Sequence, residues 1–348
     1  MQTRIEVGIL GATGMVGQHF IRFLQGHPWF DLKWLGASDR SAGKKYRDAM
    51  TWHLGVVPDS VAGITVDDCK PGHAPRLLFS AMDASVATEI ERAFAQAGHI
   101  VVSNSKNHRM ERDVPLLVPE INPDHLKLIP GQQRARGWTG QIVTNPNCST
   151  VGLTMGLGPL KPFGITKVIV TTMQAISGAG YPGVASMDIV GNVIPYIGGE
   201  EEKMQQETQK ILGEFRGDRI EPLAARVSAH CNRVAVVDGH TETVSVEFSS
   251  KPSEADLRHA FESFLSVPQE RALPSAPPRP VIYMEESNRP QPRKDAERER
   301  GMAAFVGRLR PCPVLDYKFV VLSHNTVRGA AGAAVLNAEL MHSEGMLD

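Results

Sequence analysis

The chemistry in this sequence starts at Cys148, inside Thr144-Asn-Pro-Asn-Cys148-Ser-Thr150, with an apolar periodic stretch beginning directly after the cysteine. That arrangement predicts a cysteine at a helix start. A helix N-terminus or a nearby cation can bring a thiol from about 8.5 to below neutrality, which makes a usable nucleophile. An acyl group carried on sulfur needs a proton-transfer partner. Arg233-Val-Ala-Val-Val-Asp-Gly-His240 offers one at a glycine turn between two strand-like runs. The other three cysteines, Cys69, Cys231 and Cys312, read as small core residues.

A second chemical signal lies near the N-terminus, where Gly8, Gly11, Gly14 and Gly17 fall every third residue between an apolar run and a helical pattern. Such a turn lets the backbone approach a pyrophosphate closely, and the helix start supplies N–H donors. Its spacing departs from G-x-G-x-x-G, and its place between the first strand and the first helix is what points to a dinucleotide site. After the second strand, Gly36-Ala-Ser38-Asp39-Arg40-Ser41-Ala-Gly43-Lys44 offers Ser38, Arg40, Ser41 and Lys44 as donors to a 2′-phosphate, which favours NADP over NAD.

These groups need a scaffold. Apolar runs at 5–10, 32–36, 77–80 and 100–103, with a helical stretch at 85–97, predict βαβ units around a parallel sheet over the first ~145 residues. From Lys167 the pattern turns β-rich, with runs at 167–175, 227–237 and 243–248; in the last, Val244, Val246 and Phe248 alternate with polar neighbours, which predicts a largely antiparallel sheet. Helices are expected at 200–212 and 253–265, the latter opened by Ser253-x-x-Asp256. The proline- and charge-rich stretch 272–301 is expected to be irregular, and a small-residue helix at 327–342 is expected to return to the first domain. The fold class is therefore α/β: a Rossmann-type doubly wound parallel sheet plus a second α+β domain. The expected domains are 1–146, completed by 325–348, and 147–324.

Composition narrows the function. In 348 residues, 37 Lys+Arg face 38 Asp+Glu, so no basic field exists to attract nucleic acid or an anionic membrane. Hydrophobic residues at 42% and charged residues at 22% describe a globular chain. Four cysteines without C-x-x-C indicate neither a disulfide framework nor a zinc site, and no metal is expected. No apolar run reaches the ~18 residues of a membrane span and no signal-peptide pattern opens the chain, so a cytoplasmic location is expected.

Taken in order, the Gly11-Ala-Thr-Gly14-Met-Val-Gly17 turn, Ser103-Asn-Ser-Lys-Asn-His-Arg109, Asn145-Pro-Asn-Cys148-Ser-Thr, Gln174-Ala-Ile-Ser-Gly178-Ala-Gly180, Gly199-Glu-Glu-Glu-Lys203, Arg233 to His240, and Asn325-Thr-Val-Arg-Gly-Ala-Ala-Gly resemble aspartate-semialdehyde dehydrogenases of the archaeal and fungal type. The resemblance implies NADP-dependent reductive dephosphorylation of L-4-aspartyl phosphate, a step toward lysine, threonine, methionine and isoleucine. It implies Cys148 as nucleophile and His240 as acid/base. Arg233 would hold the substrate carboxylate and Glu200 the ammonium, Arg109 and Lys203 the phosphate, with Gln174 and Asn147 placing the thioester. Gly11, Thr13, Gly14, Met15, Val16, Ser80, Ser177, Gly178, Asn325 and Thr326 join the 38–44 loop as cofactor contacts. A homodimer or homotetramer through the second domain is implied as well. Malonyl-coenzyme A reductase shares this chemistry and remains an alternative, as does a silent dinucleotide-binding scaffold.

Overall fold

The computed structural model describes residues 4–347, so the outermost residues of the expected ranges, 1–3 and 348, lie outside it. The first sheet is built from β1 (Ile5–Leu10), β2 (Phe30–Ala37), β3 (Asp67–Asp68), β4 (Leu77–Ser80), β5 (Ile100–Ser103) and β6 (Gln141–Thr144). All pairings are parallel, in the order β3-β2-β1-β4-β5-β6. This is the doubly wound order, which places ligands beyond the carboxyl ends of the strands where the order reverses, between β1 and β4. Helices α1 (Met15–Leu24) and α2 (Ala84–Gln96) supply crossovers. The central strands β4, β5 and β6 are four residues long and buried on both faces, so their sequences are mostly apolar and do not alternate.

The second sheet contains β7 (Ile165–Gln174), β8 (Arg226–Arg233), β9 (His240–Phe248), β10 (Val281–Met284), β11 (Ala304–Pro311) and β12 (Tyr317–Ser323), ordered β8-β7-β9-β12-β11-β10. The three central pairings are antiparallel and the two outer ones parallel, so the sheet is mixed. β7 alternates buried Val168, Val170 and Thr172 with exposed Ile169 and half-buried Thr171 and Met173, giving one face to the core. Against that face lie α3 (Cys148–Leu157), α4 (Glu200–Ile211) and α5 (Glu254–Ser263), with Val151, Leu153, Met204, Leu257 and Phe261 in one core with Val170, Val244 and Phe319. The expected capping box at Ser253 and Asp256 is present.

Two expectations need correction. The stretch 272–301 is not wholly irregular: Val281–Met284 is a strand. Prolines bracket that four-residue apolar run without entering it, and it lies at the sheet edge, where neighbouring prolines cost no ladder bond. The helix expected from Val327 begins instead with a π-turn, Val327–Ala331, before α6 (Gly332–Ser343). As expected, α6 packs into the first domain, where Ala334, Val335 and Leu336 share a core with Val7, Ile9, Phe20 and Phe79.

Candidate active site

Cys148 is the first residue of α3, and Asn147 caps it by accepting from the N–H groups of Ser149 (3.0 Å) and Thr150 (3.3 Å). Every residue from Ser149 to Leu157 is buried, whereas Cys148 keeps an edge at the surface of a cavity of about 420 Å³. His240, the first residue of β9, brings Nε2 to 3.2 Å from the cysteine sulfur. Ninety-odd residues of chain separate the two, and the β7–β9 pairing together with the seating of α3 on β9 brings them into contact.

The histidine's tautomer follows from its other nitrogen. Nδ1 accepts the Ala175 backbone N–H at 3.0 Å, so the neutral ring carries its proton on Nε2, facing sulfur. Burial, reinforced by the Arg233 charge and by His324, lowers His240 to about 3. Burial, with Glu200 acting in the same direction, pushes the Cys148 thiol up to about 12 against the pull of Arg233, Arg109 and the Ser149 N–H. The helix start therefore does not by itself deliver a thiol below neutrality; desolvation wins. Iodoacetamide alkylation of Cys148 in the free protein should accordingly rise about tenfold per pH unit across the neutral range, with no inflection from His240. A rate plateau at neutral pH, read on the Cys148 peptide by mass spectrometry, would contradict this.

The cavity wall brings together Met15, Val16, Arg109, Asn147, Cys148, Ser177, Gly178, Asn325 and Thr326 from both domains. Asn325 ties the site across the chain: its Nδ2 donates to Ser177 Oγ (2.8 Å) and its Oδ1 accepts the Gly239 N–H (2.9 Å), just before His240. Arg233 ends β8 and donates from Nη1 to the Ala175 carbonyl at 2.8 Å. Gly178 lies so close to Arg233 and His240 that a β-carbon there would meet Arg233 Nη1 at 2.9 Å. Behind Asn147, its Nδ2 donates to Glu200 Oε2 (2.7 Å), Gln174 Nε2 lies 3.4 Å from the same oxygen, and Lys203 Nζ donates to Glu200 Oε1 at 2.8 Å.

A second cavity, of about 760 Å³, is walled by Gly11, Thr13, Gly14, Ser38 and Asp39. Gly11 has φ +78° and a β-carbon on it would fall 2.7 Å from the Ala81 carbonyl oxygen, so the turn admits only glycine. Gly14 opens α1 with no side-chain cap, which leaves the helix's first N–H groups for a ligand. These residues fit a dinucleotide. Of the other expected cofactor contacts, Arg40 and Lys44 are exposed beside this cavity but outside its wall, and Ser41 is buried with its hydroxyl toward the Ala49 carbonyl. Ser80 is fully buried and its hydroxyl donates to Glu91 at 2.6 Å, so that side chain faces inward. Asp39 in the wall is an acidic group that the loop's basic neighbours must outweigh.

Several residues of the site were missed from sequence. Asn104 and Ala330 line the cysteine cavity, and Gly329 in the π-turn lies against Cys148, where a β-carbon would come within 2.7 Å of the cysteine's own. Tyr181 lines the cavity mouth and stacks on His53 of the first domain, ring centroids 3.9 Å apart. Glu207 bonds Arg109 and the Asn147 N–H; its spacing of seven from Glu200, on one helical face, was a usable signal. Of the remaining cysteines, Cys231 is buried but Cys69 and Cys312 are half-buried. Asp238, Glu297 and His324, the one group among the described residues with metal-ligand geometry, lies outside this wall.

Two family models match this chain, the semialdehyde dehydrogenase NAD-binding domain over residues 6–129 and the semialdehyde dehydrogenase dimerisation domain over residues 157–328. An aspartate-semialdehyde dehydrogenase of Archaeoglobus fulgidus is 50% identical over 343 residues, covering 98% of this chain and 99% of that protein. The chain belongs to the aspartate-semialdehyde dehydrogenase family. The family member of Saccharomyces cerevisiae is 46% identical, covering 98% of each chain. A crystal structure of the Candida albicans family member with NADP matches with a TM-score of 0.92 at 43% identity, covering 99% of this chain and all of that one. The second family member of Vibrio cholerae, complexed with ASA, matches with a TM-score of 0.78 at 26% identity over 99% of both.

Proposed function

We propose that the protein catalyses the reversible, NADP-dependent reductive dephosphorylation of L-4-aspartyl phosphate to L-aspartate 4-semialdehyde through a thioester on Cys148, in the cytoplasm, on the route to lysine, threonine, methionine and isoleucine. The observation that carries the reading is the Cys148 sulfur at the start of α3, 3.2 Å from His240 Nε2, on a cavity that also holds Arg109 and the first turn of α1.

Sulfur attacks the acyl phosphate as the thiol proton passes to the phosphate oxygens, the acyl C–O bond breaks, and phosphate leaves with the electron pair as its hydrogen phosphate dianion, held by Arg109 and Lys203. NADPH, when bound on the Gly11–Gly14 turn, supplies the hydride that reduces the thioester. In place of the acid/base role that the resemblance implies, His240, with Nδ1 taken by the Ala175 N–H, points its Nε2–H at the reacting centre, where it stabilises the thiolate and the oxyanion of each tetrahedral adduct. Arg233 takes the distal carboxylate through two N–H donors, and Glu200 takes the α-ammonium in exchange for part of its contact with Lys203. Gln174 and Asn147 place the carbonyl.

Residues 1–146 with 325–348 form the cofactor domain, and residues 147–324 the catalytic domain. The relatives' NADP complex and the dimerisation-domain match support both NADP as cofactor and a homodimer or homotetramer. The outer face of the second sheet, with Ile169 43% exposed, is the surface for that contact.

Purified protein should reduce NADP with aspartate semialdehyde only when inorganic phosphate is present. Malonate semialdehyde with coenzyme A is the competing pair, and faster turnover of it would establish the malonyl-coenzyme A reductase reading instead. Cofactor choice has its own test. Arg40→Ala and Ser38→Ala should raise KM for NADP by roughly tenfold or more while changing KM for NAD little, because NAD lacks the group being held. Equal losses for both cofactors would show that the loop does not read the 2′-phosphate.

A further inference from the structure

Glu200, Lys203 and Glu207 follow one another along a single face of α4. The first two have substrate roles in the proposed reaction; Glu207 has none, yet it touches two residues that do. Its side chain is 2% exposed. One carboxylate oxygen, Oε1, accepts from Arg109 Nη1 at 2.9 Å, and the other, Oε2, accepts the Asn147 backbone N–H at 2.7 Å. A single buried carboxylate thus joins the guanidinium of the segment after β5 to the peptide immediately before Cys148.

The rest of the contact set shows how firmly this joint is built. Arg109 Nη2 donates to the Asn104 carbonyl at 2.8 Å. One turn further along α4, Lys210 donates to the carbonyls of Arg109, Glu111 and Val114 at 2.7, 2.8 and 2.9 Å, so the same helix fixes both the backbone and the side chain of Arg109. A neutral side chain cannot replace Glu207. Gln offers one acceptor and one NH₂, and it faces two donors, so either Arg109 or the Asn147 N–H loses its partner inside the protein.

We propose that Glu207 is a positioning residue of the catalytic centre. It sets the angle of Arg109 toward an incoming phosphate and, through the Asn147 peptide, the place of the Cys148 sulfur. The inference rests on the reading of Arg109 as a phosphate ligand. Positioning errors well under an ångström suffice to slow an oriented reaction, so the loss should exceed what a remote surface change produces.

The experiment is a double-mutant cycle in the phosphorylating direction with the full-length enzyme. Glu207→Gln should raise KM for inorganic phosphate by about tenfold or more and lower kcat, while KM for aspartate semialdehyde stays within about threefold. In an Arg109→Ala background the same substitution should add less than about threefold to the phosphate KM, because the side chain it orients is gone. Glu207→Asp keeps the charge but is one methylene short of spanning both donors; it should give the same selective pattern at smaller size, and it serves if the Gln variant folds poorly. Equal increases in both Michaelis constants, or effects at 207 and 109 that multiply independently, would overturn the inference. An Arg109→Ala enzyme with an unchanged phosphate KM would overturn the phosphate reading and the inference with it. A normal Arg109→Ala loss beside an unaffected Glu207→Gln enzyme would overturn the inference alone.

Discussion

Replacing Cys148 with serine should abolish turnover, by at least about 10³-fold, while NADP binding stays within about threefold of the parent. Serine keeps the size, the place at the start of α3 and the contact with His240, so the fold and the cofactor turn have no reason to change. What it loses is nucleophilicity. The surroundings already oppose ionisation of the thiol, since burial and Glu200 both raise its proton affinity, and a hydroxyl of far higher intrinsic pKa cannot ionise there. Turnover by Cys148→Ser within tenfold of the parent would refute covalent catalysis at this residue. NADP binding, followed by calorimetry, separates a chemical loss from a folding loss.

The second large effect divides the anion-binding work. Arg233→Lys should raise KM for aspartate semialdehyde by roughly 30-fold or more, equivalent to about 2 kcal/mol, and leave the phosphate KM nearly unchanged. Arg233 is 6% exposed at the end of β8, with one N–H committed to the Ala175 carbonyl and the rest left for a planar, two-pronged contact. An ammonium preserves the charge and loses that geometry. Lys203→Ala should do the reverse, raising the phosphate KM with the semialdehyde constant comparatively intact. Its Nζ is bonded to Glu200, so a modest secondary effect on the semialdehyde is expected when Glu200 loses its neighbour. If Arg233→Lys weakened only phosphate, or Lys203→Ala only the semialdehyde, the assignment of roles would be wrong. A surface role for either residue predicts no change in either constant.

Much of this architecture is legible in the amino-acid order, for local reasons. The parallel and antiparallel halves announce themselves because strands buried on both faces are continuously apolar, whereas strands with one exposed face alternate. The turn after β1 is readable because a positive φ against the Ala81 carbonyl admits no β-carbon at Gly11. Cys148 is readable as a helix start because an apolar stretch begins directly after it, and the Asn147 cap is the local contact that fixes that start. The strand at Val281–Met284 is hidden for a local reason too: the prolines and charges around it dominate the composition of its segment.

Tertiary structure decided the rest, because it depends on which surfaces meet. Only the pairing of β7 with β9 and the seating of α3 on β9 bring His240 to Cys148, and only the Ala175 N–H selects the nitrogen that carries the histidine's proton. The state of the thiol is likewise set by the assembly, because a helix dipole acts within one turn while desolvation comes from everything packed around the sulfur. Ser80 is turned to Glu91 by the neighbouring helix, and Gly329 is pressed on Cys148 by a π-turn from the far end of the chain. Residue type and spacing state what a side chain can do, but burial, charge partners and the identity of the opposing donor are properties of the folded assembly of segments, and those settle what it does.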